Sequence, residues 1–193
     1  MYNIEEYKNV IRKRLSNYRY YHSLCVAESA KQLAERYGAD VQKAEVAGIL
    51  HDVMKESPKS EQLEVIKAAG MTISDLEKSQ KKFYHQISGA AYAKAKLNID
   101  DEEILSAIRY HTTGRANMTL MEQIVYLADF ISADRDYDDV DIMRKKVDES
   151  KEAGMIYSTA YTITSVIEKK RILHPDTVEA YNWLINSQSE KTE

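Results

Sequence analysis

The sequence predicts an all-α fold in a single domain, from its length, its composition and its scarcity of helix-breaking residues. A chain of 193 residues suits one domain and is long enough to bury a substantial core. Hydrophobic residues make up 44% of the chain and charged residues 30%, which is typical of a globular protein rather than a disordered one. With two prolines and six glycines, the chain has few residues that stop a helix. We therefore expect a helical bundle.

Apolar spacing and caps mark the first three helices. The first is predicted over residues 4 to 15, and the second over Tyr18 to Tyr37. Gly38 suits the C-terminal cap of the second helix. Asp40 suits the start of a third helix, which is expected to reach Ser57-Pro58.

The middle of the chain predicts short elements followed by a longer helix of small residues. Ser60 to Ala69 reads as a short helix closed by Gly70, and Ser74 to Glu77 has the spacing of a capping box. The polar segment from Lys78 to Tyr84 is expected to be a loop. The run HQISGAAYAKAK, which follows from residue 85, then predicts a helix that packs closely against a neighbour.

The second half of the chain continues the helical pattern. The four acids at 100 to 103 suit the start of a helix in which Ile104, Ile108 and His111 share one face. The acidic stretch at 134 to 141 is expected to be an exposed loop. A capping box at Thr119 predicts a helix at about 120–133. The length of the segment without a turn predicts another at about 154–170, and the HPDT motif separates it from a last helix at about 178–186.

Composition also limits the classes of function. No stretch approaches the roughly 18 to 20 apolar residues of a membrane span, and the N-terminus lacks the apolar core of a signal peptide, so we expect a cytoplasmic protein. The lone cysteine, Cys25, offers neither an internal disulfide nor a cysteine-based zinc site. A net charge of −4 argues against a nucleic-acid binder. An anionic ligand would therefore need local cations or a metal.

The candidate chemistry lies in a set of histidines and aspartates at the ends of apolar helical stripes. An acid drawn into apolar surroundings is costly unless it is paired, and a metal supplies such a partner. Imidazole and carboxylate without thiolate fit a hydrolytic site better than a structural zinc site. Two ions could share one bridging carboxylate, and a metal-bound hydroxide could then attack phosphorus. The predicted metal ligands are His22, His51, Asp52, His85, His111 and Asp129.

The pattern resembles the HD-domain metal-dependent phosphohydrolases, whose signature is a lone histidine, an HD doublet and a later aspartate. The resemblance is closer to one branch, the symmetrical diadenosine-tetraphosphate hydrolases of the YqeK type, and it spans nearly the whole chain. The blocks that carry it are RYYH at 19–22, HDVMKESP at 51–58, YH at 84–85, AIRYHTTGR at 107–115, YLADFISADR at 126–135, PDT at 175–177 and YNWL at 181–184.

This resemblance implies a helical enzyme that cleaves diadenosine tetraphosphate into two ADP with bound iron, as one or two ions; manganese or another divalent metal is the alternative. It implies one metal on His22, His51, Asp52 and Asp129, and a second on His85 and His111 with bridging Asp52. The metal core would span about 18–132, and helices at about 154–187 would complete the nucleotide site. The implied nucleotide contacts are Arg19, His22, Lys55, Glu56, Ser57, Pro58, His85, His111, Thr112, Asp129, Arg135, Ile172, Leu173, His174, Pro175, Asp176 and Thr177.

Asp52, His85, His111 and Lys55 are the predicted catalytic residues, and several alternatives stay open at this point. His85 and His111 could bind phosphate or act as acids beside a single metal. Lys55 could be an ordinary lysine near a helix end. The whole protein could instead be a nucleotidase acting on mononucleotides, or a nucleotide-sensing or assembly-binding protein with a structural metal. The oligomeric state is also open, with a homodimer as one alternative.

The chain departs from the branch pattern at two places. Ala133-Asp134 stands where a Pro-Gly or Pro-Asn pair often precedes the arginine, and His174 stands in place of an apolar residue. We predict that His174 belongs to the substrate loop and is not a metal ligand.

Overall fold

The protein is all-helical over residues 2 to 189, the part of the chain that the computed structural model describes. The predicted fold class is confirmed, because these residues form eleven α-helices and no β-strand. In chain order the helices are α1 (Ile4–Arg14), α2 (Asn17–Tyr37), α3 (Val41–Leu50), α4 (Lys59–Ala68), α5 (Asp75–Ser79), α6 (Lys81–Leu97), α7 (Glu102–Tyr110), α8 (Leu120–Ile131), α9 (Val140–Glu149), α10 (Lys151–Glu168) and α11 (Pro175–Ser189).

Local caps fix several helix ends where the sequence predicts them. Gly38 ends α2 in the left-handed conformation, with φ 73°, and the Asp40 side chain accepts from the backbone N–H of Lys43 at the start of α3. Ser74 and Thr119 each open a complete capping box, at α5 and α8. A cap needs only neighbours in sequence, so these ends follow from the sequence.

The core lies between α2, α3, α6, α7 and α8. Helix α3 is buried along Val46 to Leu50, and α6 along Phe83 to Ala91. Helices α2 and α3 approach very closely, since a Cβ added to Gly48 would lie 2.6 Å from the Cα of Ala27. Small residues thus let two core helices pack backbone against backbone.

Helix α3 is shorter than predicted. It ends at Leu50, and the chain continues as tight turns closed by the bonds Val53 N to Leu50 O at 3.1 Å and Lys55 N to Asp52 O at 2.8 Å. Nδ1 of His51 donates to the carbonyl of Gly48. In a continuing helix this carbonyl would accept from the backbone N–H of Asp52. The sequence predicts Lys55 one helical turn beyond His51, and this prediction is wrong because the helix has already ended.

The predicted loop from Lys78 to Tyr84 is also wrong. Helix α5 runs to Ser79 and α6 begins at Lys81, with Gln80 between them. Phe83 and Tyr84 are buried, so tertiary contact stabilises the first turn of α6 despite its polar sequence.

The C-terminal helices pack beside α8. The acidic stretch at 134–141 is a loop only as far as residue 139, because Val140, Met143 and Val147 form the buried stripe of α9, a helix absent from the prediction. Helix α10 packs on α9 and α8, and α11 packs on α10. The Cβ of Ala180 in α11 lies 3.3 Å from the position of a Cβ added to Gly114, so α11 reaches the loop after His111. Among the described helices, none is both long and apolar enough to cross a membrane.

Candidate metal centre

The six predicted ligands come together at the centre of the bundle from five helices. Five of them are almost fully buried, and the Asp129 side chain is 20% exposed. They are supplied by α2 (His22), the end of α3 (His51 and Asp52), α6 (His85), the end of α7 (His111) and α8 (Asp129).

The first group of ligand atoms is formed by His22, His51 and Asp129. Nε2 of His22 lies 3.0 Å from Oδ1 of Asp129, and Nε2 of His51 lies 3.8 Å from the same oxygen. One ligand atom from each residue falls within 4.8 Å of the others, which is close enough for one ion to contact all three.

Asp52 lies between this group and a second one. Its Oδ2 is 3.6 Å from Nε2 of His51, whereas its Oδ1 is 3.5 Å from Nε2 of His85 and 3.6 Å from Nε2 of His111. His51, Asp52 and His111 form the second group of three atoms within 4.8 Å. Oδ2 of Asp52 thus faces His51, and Oδ1 faces His85 and His111, an arrangement that suits a bridging ligand.

Backbone carbonyls fix two of the imidazoles with Nε2 pointing inward. Nδ1 of His51 donates to Gly48 O at 2.7 Å, and Nδ1 of His111 donates to Ile108 O at 2.7 Å. Both acceptors lie three residues earlier, at the last turn of the helix that each histidine caps. Since a neutral imidazole has one N–H, each Nε2 keeps a lone pair for a metal.

Burial of His51 and the charge of Lys55 beside Asp52 favour the protonation states that a metal needs. It lowers the pKa of His51 to about 4, so the imidazole is neutral at pH 7. Burial alone would raise the pKa of the Asp52 carboxyl, but the positive charge of Lys55 holds that pKa well below its usual range. At pH 7, His51 is therefore a neutral imidazole and Asp52 a carboxylate anion.

Two ligand atoms at the junction of the groups receive no hydrogen bond from the described part of the protein. Nε2 of His51 and Oδ1 of Asp52 are buried and make no hydrogen bond. Buried polar atoms are normally paired, because an unpaired one costs about 1 to 3 kcal/mol. Divalent metal held by these side chains would give each of the two atoms a partner, so these residues fit a metal site.

Three cations surround the two carboxylates. Arg19 donates from Nη1 to Oδ2 of Asp52 at 3.1 Å, and Nζ of Lys55 lies 3.4 Å from Oδ1 of Asp52. Arg135 pairs with the carboxylate of Asp129 and also donates from Nε to the backbone carbonyl of Asp129 at 2.7 Å. The site therefore has the local cations that a chain of net negative charge needs in order to bind an anionic ligand.

Comparison with known proteins agrees with this geometry. A model of the HD domain family matches residues 19–134. The chain belongs to the HD-domain family. Membership and the two ligand groups together indicate a site for divalent metal.

Several relatives match this HD-domain chain along nearly its whole length. A Bacillus subtilis protein named bis(5'-nucleosyl)-tetraphosphatase, symmetrical, is 38% identical over 95% of this chain and 98% of its own. A Staphylococcus aureus protein of the same name is 34% identical over 94% of each chain. A crystal structure from Clostridium acetobutylicum, described as a predicted HD superfamily hydrolase involved in NAD metabolism, matches with TM-score 0.91 and 37% identity, over 97% of this chain and 99% of that one. The resemblance found in the sequence is confirmed.

His85 differs from the other ligands of the HD-domain centre. Its Nε2 accepts from Nζ of Lys55 at 2.9 Å, and it lies 3.2 Å from Nε2 of His111 and 3.1 Å from Oγ1 of Thr112. Burial and the charge of Lys55 lower the pKa of His85, so its ring is neutral. Neither group of three ligand atoms includes His85. Its assignment to a second metal therefore stays a prediction.

The segment after the HD doublet borders the site and also makes hydrogen bonds to residues of α1 and of the start of α2. The Glu56 carboxylate accepts from Ser16 N at 2.6 Å and from Ser16 Oγ at 2.9 Å, at the start of α2. Oγ of Ser57 accepts from Arg14 at 2.7 Å, and Pro58 precedes α4. These contacts tie the doublet to α1 and α2, and the nucleotide-binding role of the three residues stays a prediction.

His174 anchors the predicted substrate loop at 172–177. Its ring is buried against Phe83, with centroids 4.9 Å apart, and its Nε2 lies 3.6 Å from Oε1 of Glu77. Its Nδ1 accepts from Asp176 N at 3.2 Å in the first turn of α11. The ring therefore faces α5 and α6, while Ile172 is 41% exposed. A nucleotide contact by this segment stays a prediction.

Asp134 is a residue that the sequence pattern does not single out, since an exposed acidic loop is predicted there. The Asp134 side chain is 3% exposed, and its Oδ2 accepts from Nδ1 of His22 at 2.8 Å. Five acids lie within the stretch 134–141, and nothing in the local spacing distinguishes Asp134 from the other four.

Proposed function

We propose that this protein hydrolyses dinucleoside tetraphosphates symmetrically, with diadenosine tetraphosphate giving two ADP. The observation that carries the proposal is the placement of Asp52: its Oδ2 faces His51, and its Oδ1 faces His85 and His111 and accepts no hydrogen bond. The full-length similarity to relatives named symmetrical tetraphosphatases supports the choice of substrate and of cleavage position.

The metal in this proposal is iron, as one or two ions, with manganese or another divalent metal as the alternative. His22, His51, Asp52 and Asp129 would hold one ion, and His85 and His111 would hold a second with Asp52. A bound divalent metal lowers the pKa of water toward neutrality and offsets negative charge on a phosphate. Whether one or two ions are held depends on His85, whose Nε2 is occupied by Lys55 in this structure.

The chain itself supplies charge, orientation and a buried setting. Arg19, Lys55 and Arg135 contact site carboxylates, and their remaining N–H groups can donate to phosphate oxygens. Buried in the bundle, Asp52 and the imidazoles act in a low dielectric, where a charge contact is stronger than in water. Lys55 is the cation best placed to orient a phosphate, because it lies between Asp52 and His85.

The remaining parts of the proposal concern the nucleotide and the assembly. We infer that α10, α11 and the 172–177 segment complete the nucleotide site, since α11 packs against Gly114, two residues beyond Thr112. ADP is the expected product. A homodimer and a cytoplasmic location stay predictions from the sequence.

The direct test is a product analysis with metal counted in the same sample. Purified protein loaded with iron or manganese is incubated with diadenosine tetraphosphate, and products are separated by anion exchange. We expect two ADP per substrate, lost with a chelator. ATP plus AMP would contradict symmetrical cleavage, and inorganic phosphate released from mononucleotides would favour a nucleotidase. Tight nucleotide binding without turnover in any metal would favour a sensing role.

A variant pair links the reaction to the site. We expect Asp52→Ala to abolish both metal retention and hydrolysis, because it removes the carboxylate shared by the two groups. Asp138→Ala removes an exposed carboxylate from the chain with the same change in charge, and should behave as wild type. Full activity in Asp52→Ala would refute the site assignment.

A further inference from the structure

Asp134 is a buried acid directly behind a predicted metal ligand. It follows α8 in a loop whose next acids, Asp136 and Asp138, are exposed, yet its own side chain is 3% exposed. Its Oδ2 lies 2.8 Å from Nδ1 of His22, a ring that is fully buried. The opposite ring nitrogen, Nε2, faces Asp129 in the first ligand group.

The protein holds the Asp134 carboxylate and its loop in place. Ser132 donates from Oγ to Oδ1 of Asp134 at 2.7 Å, so each carboxylate oxygen has a partner. Arg144 of α9 donates to the backbone carbonyls of Ile131 at 3.2 Å, Ser132 at 3.0 Å and Arg135 at 3.2 Å. The carboxylate is therefore aimed at His22 by its side-chain partner and by a fixed backbone.

The same loop also reaches Asp129. Arg135, the residue after Asp134, pairs with the Asp129 carboxylate and donates to its backbone carbonyl at 2.7 Å. Consecutive residues of one loop thus bind two of the three members of the first ligand group: Asp134 binds His22, and Arg135 binds Asp129. This arrangement fixes how the two side chains face each other.

We propose that Asp134 is a positioning residue for the metal centre, which binds Nδ1–H of His22 and so presents Nε2 to a divalent cation. A carboxylate behind a ligating histidine fixes the ring orientation and the nitrogen that stays free, and it makes the imidazole a better ligand. The inference rests on the proposed metal centre and adds a residue that holds no metal itself. It assigns a role to the α8–α9 loop beyond connecting two helices.

The test compares metal affinity in three variants by chelator competition with Mn²⁺. Asp134→Ala removes the acceptor, and we expect affinity to fall about 10- to 100-fold, the usual cost of losing such a partner. Asp134→Asn keeps an oxygen acceptor for Nδ1–H, so we expect it to recover most of that loss. Asp138→Asn, an exposed acid in the same loop with the same change in charge as Asp134→Asn, should match wild type.

Two further readouts separate positioning from a general loss of structure. The thermal midpoint of the metal-free protein reports folding, and ¹⁵N NMR of the Zn²⁺-loaded protein reports which nitrogen of His22 carries a proton. We expect Nδ1–H on His22 in wild type and a loss of its protected proton signal in Asp134→Ala.

The possible results also separate this inference from the proposed function. Metal affinity in Asp134→Ala equal to that of Asp138→Asn, with wild type binding metal, would overturn the inference alone. A zinc-loaded wild type in which Nδ1 of His22 carries no proton would also overturn it. The expected affinity loss in a protein that does not cleave diadenosine tetraphosphate would support the inference and overturn the proposed function.

Discussion

Gly48 offers a severe test of how the packing of α3 supports the metal centre. The Cβ of an alanine at this position would lie 2.6 Å from Cα and 3.0 Å from N of Ala27 in α2. Both are backbone atoms, so no side-chain rotation relieves the contact. Helix α3 must move away from α2 in Gly48→Ala, and His51 must move with it because its Nδ1 donates to Gly48 O at 2.7 Å.

Two opposing terms set the size of the effect. Overpacking a close-packed core typically costs about 1 to 3 kcal/mol, and backbone contacts at these distances belong at the upper end. Replacing glycine by alanine inside a helix returns about 1 kcal/mol through helix propensity. We therefore expect Gly48→Ala to lower the free energy of unfolding by about 2 kcal/mol, which corresponds to a fall of about 4 to 8 °C in Tm for a chain of this size.

Gly89→Ala in α6 is the matched control. Its added Cβ would lie 3.1 Å from Cγ2 of Ile108 and 3.3 Å from the backbone carbonyl of His51. Both contacts are longer than the 2.6 Å contact at Gly48, so we expect helix propensity to offset most of the packing cost.

The assay is urea and thermal unfolding of the metal-free proteins, followed by metal titration of the folded variants. We expect Gly48→Ala to be less stable than Gly89→Ala and to bind metal more weakly. Gly48→Ala as stable as wild type would refute the packing argument, and unchanged metal affinity in a destabilised variant would refute the link to His51.

The remaining predictions concern Lys55 and Glu77. Lys55→Ala should lower kcat/KM about 10- to 100-fold, the loss of a charged hydrogen bond worth about 1.5 to 3 kcal/mol, while metal is retained; exposed Lys67→Ala is its control, and equal kinetics in the two variants would refute the role of Lys55. Burial would raise the pKa of Glu77, but the nearby His174 ring, hydrogen bonds from Ser74 and the charge of Arg109 lower it to about 2. Because this value lies below the unfolded pKa of about 4.3, Glu77 stabilises the fold above that pH, and the stabilisation is lost as the pH falls toward 2. Urea unfolding should show Glu77→Gln less stable than wild type by on the order of 3 kcal/mol at pH 6, and below about pH 4.3 the difference should shrink as the pH falls; a constant difference down to pH 3 would contradict this.

The fold class, most helix starts and the candidate ligands could be predicted from the sequence alone. Caps such as Asp40 and Thr119 act on backbone groups within three residues, and helical periodicity needs only near neighbours. His22, His111 and Asp129 could be named because they lie on apolar stripes that must face one core, whereas the role of His85 is implied by the family resemblance. His22 and Asp129 are more than 100 residues apart in the chain, yet the pattern indicates that both point inward.

The tertiary structure decided where α3 ends, where α6 begins and which acid supports His22. Helix α3 ends at Leu50 as the His51 ring takes the Gly48 carbonyl, and α6 begins at Lys81 over buried Phe83. Asp134 is set apart from its acidic neighbours only by the position of α2, which brings His22 to it across 112 residues of sequence. Local sequence fixes propensities and caps, whereas the pairing of a buried carboxylate depends on which distant side chain the packing brings within hydrogen-bonding distance.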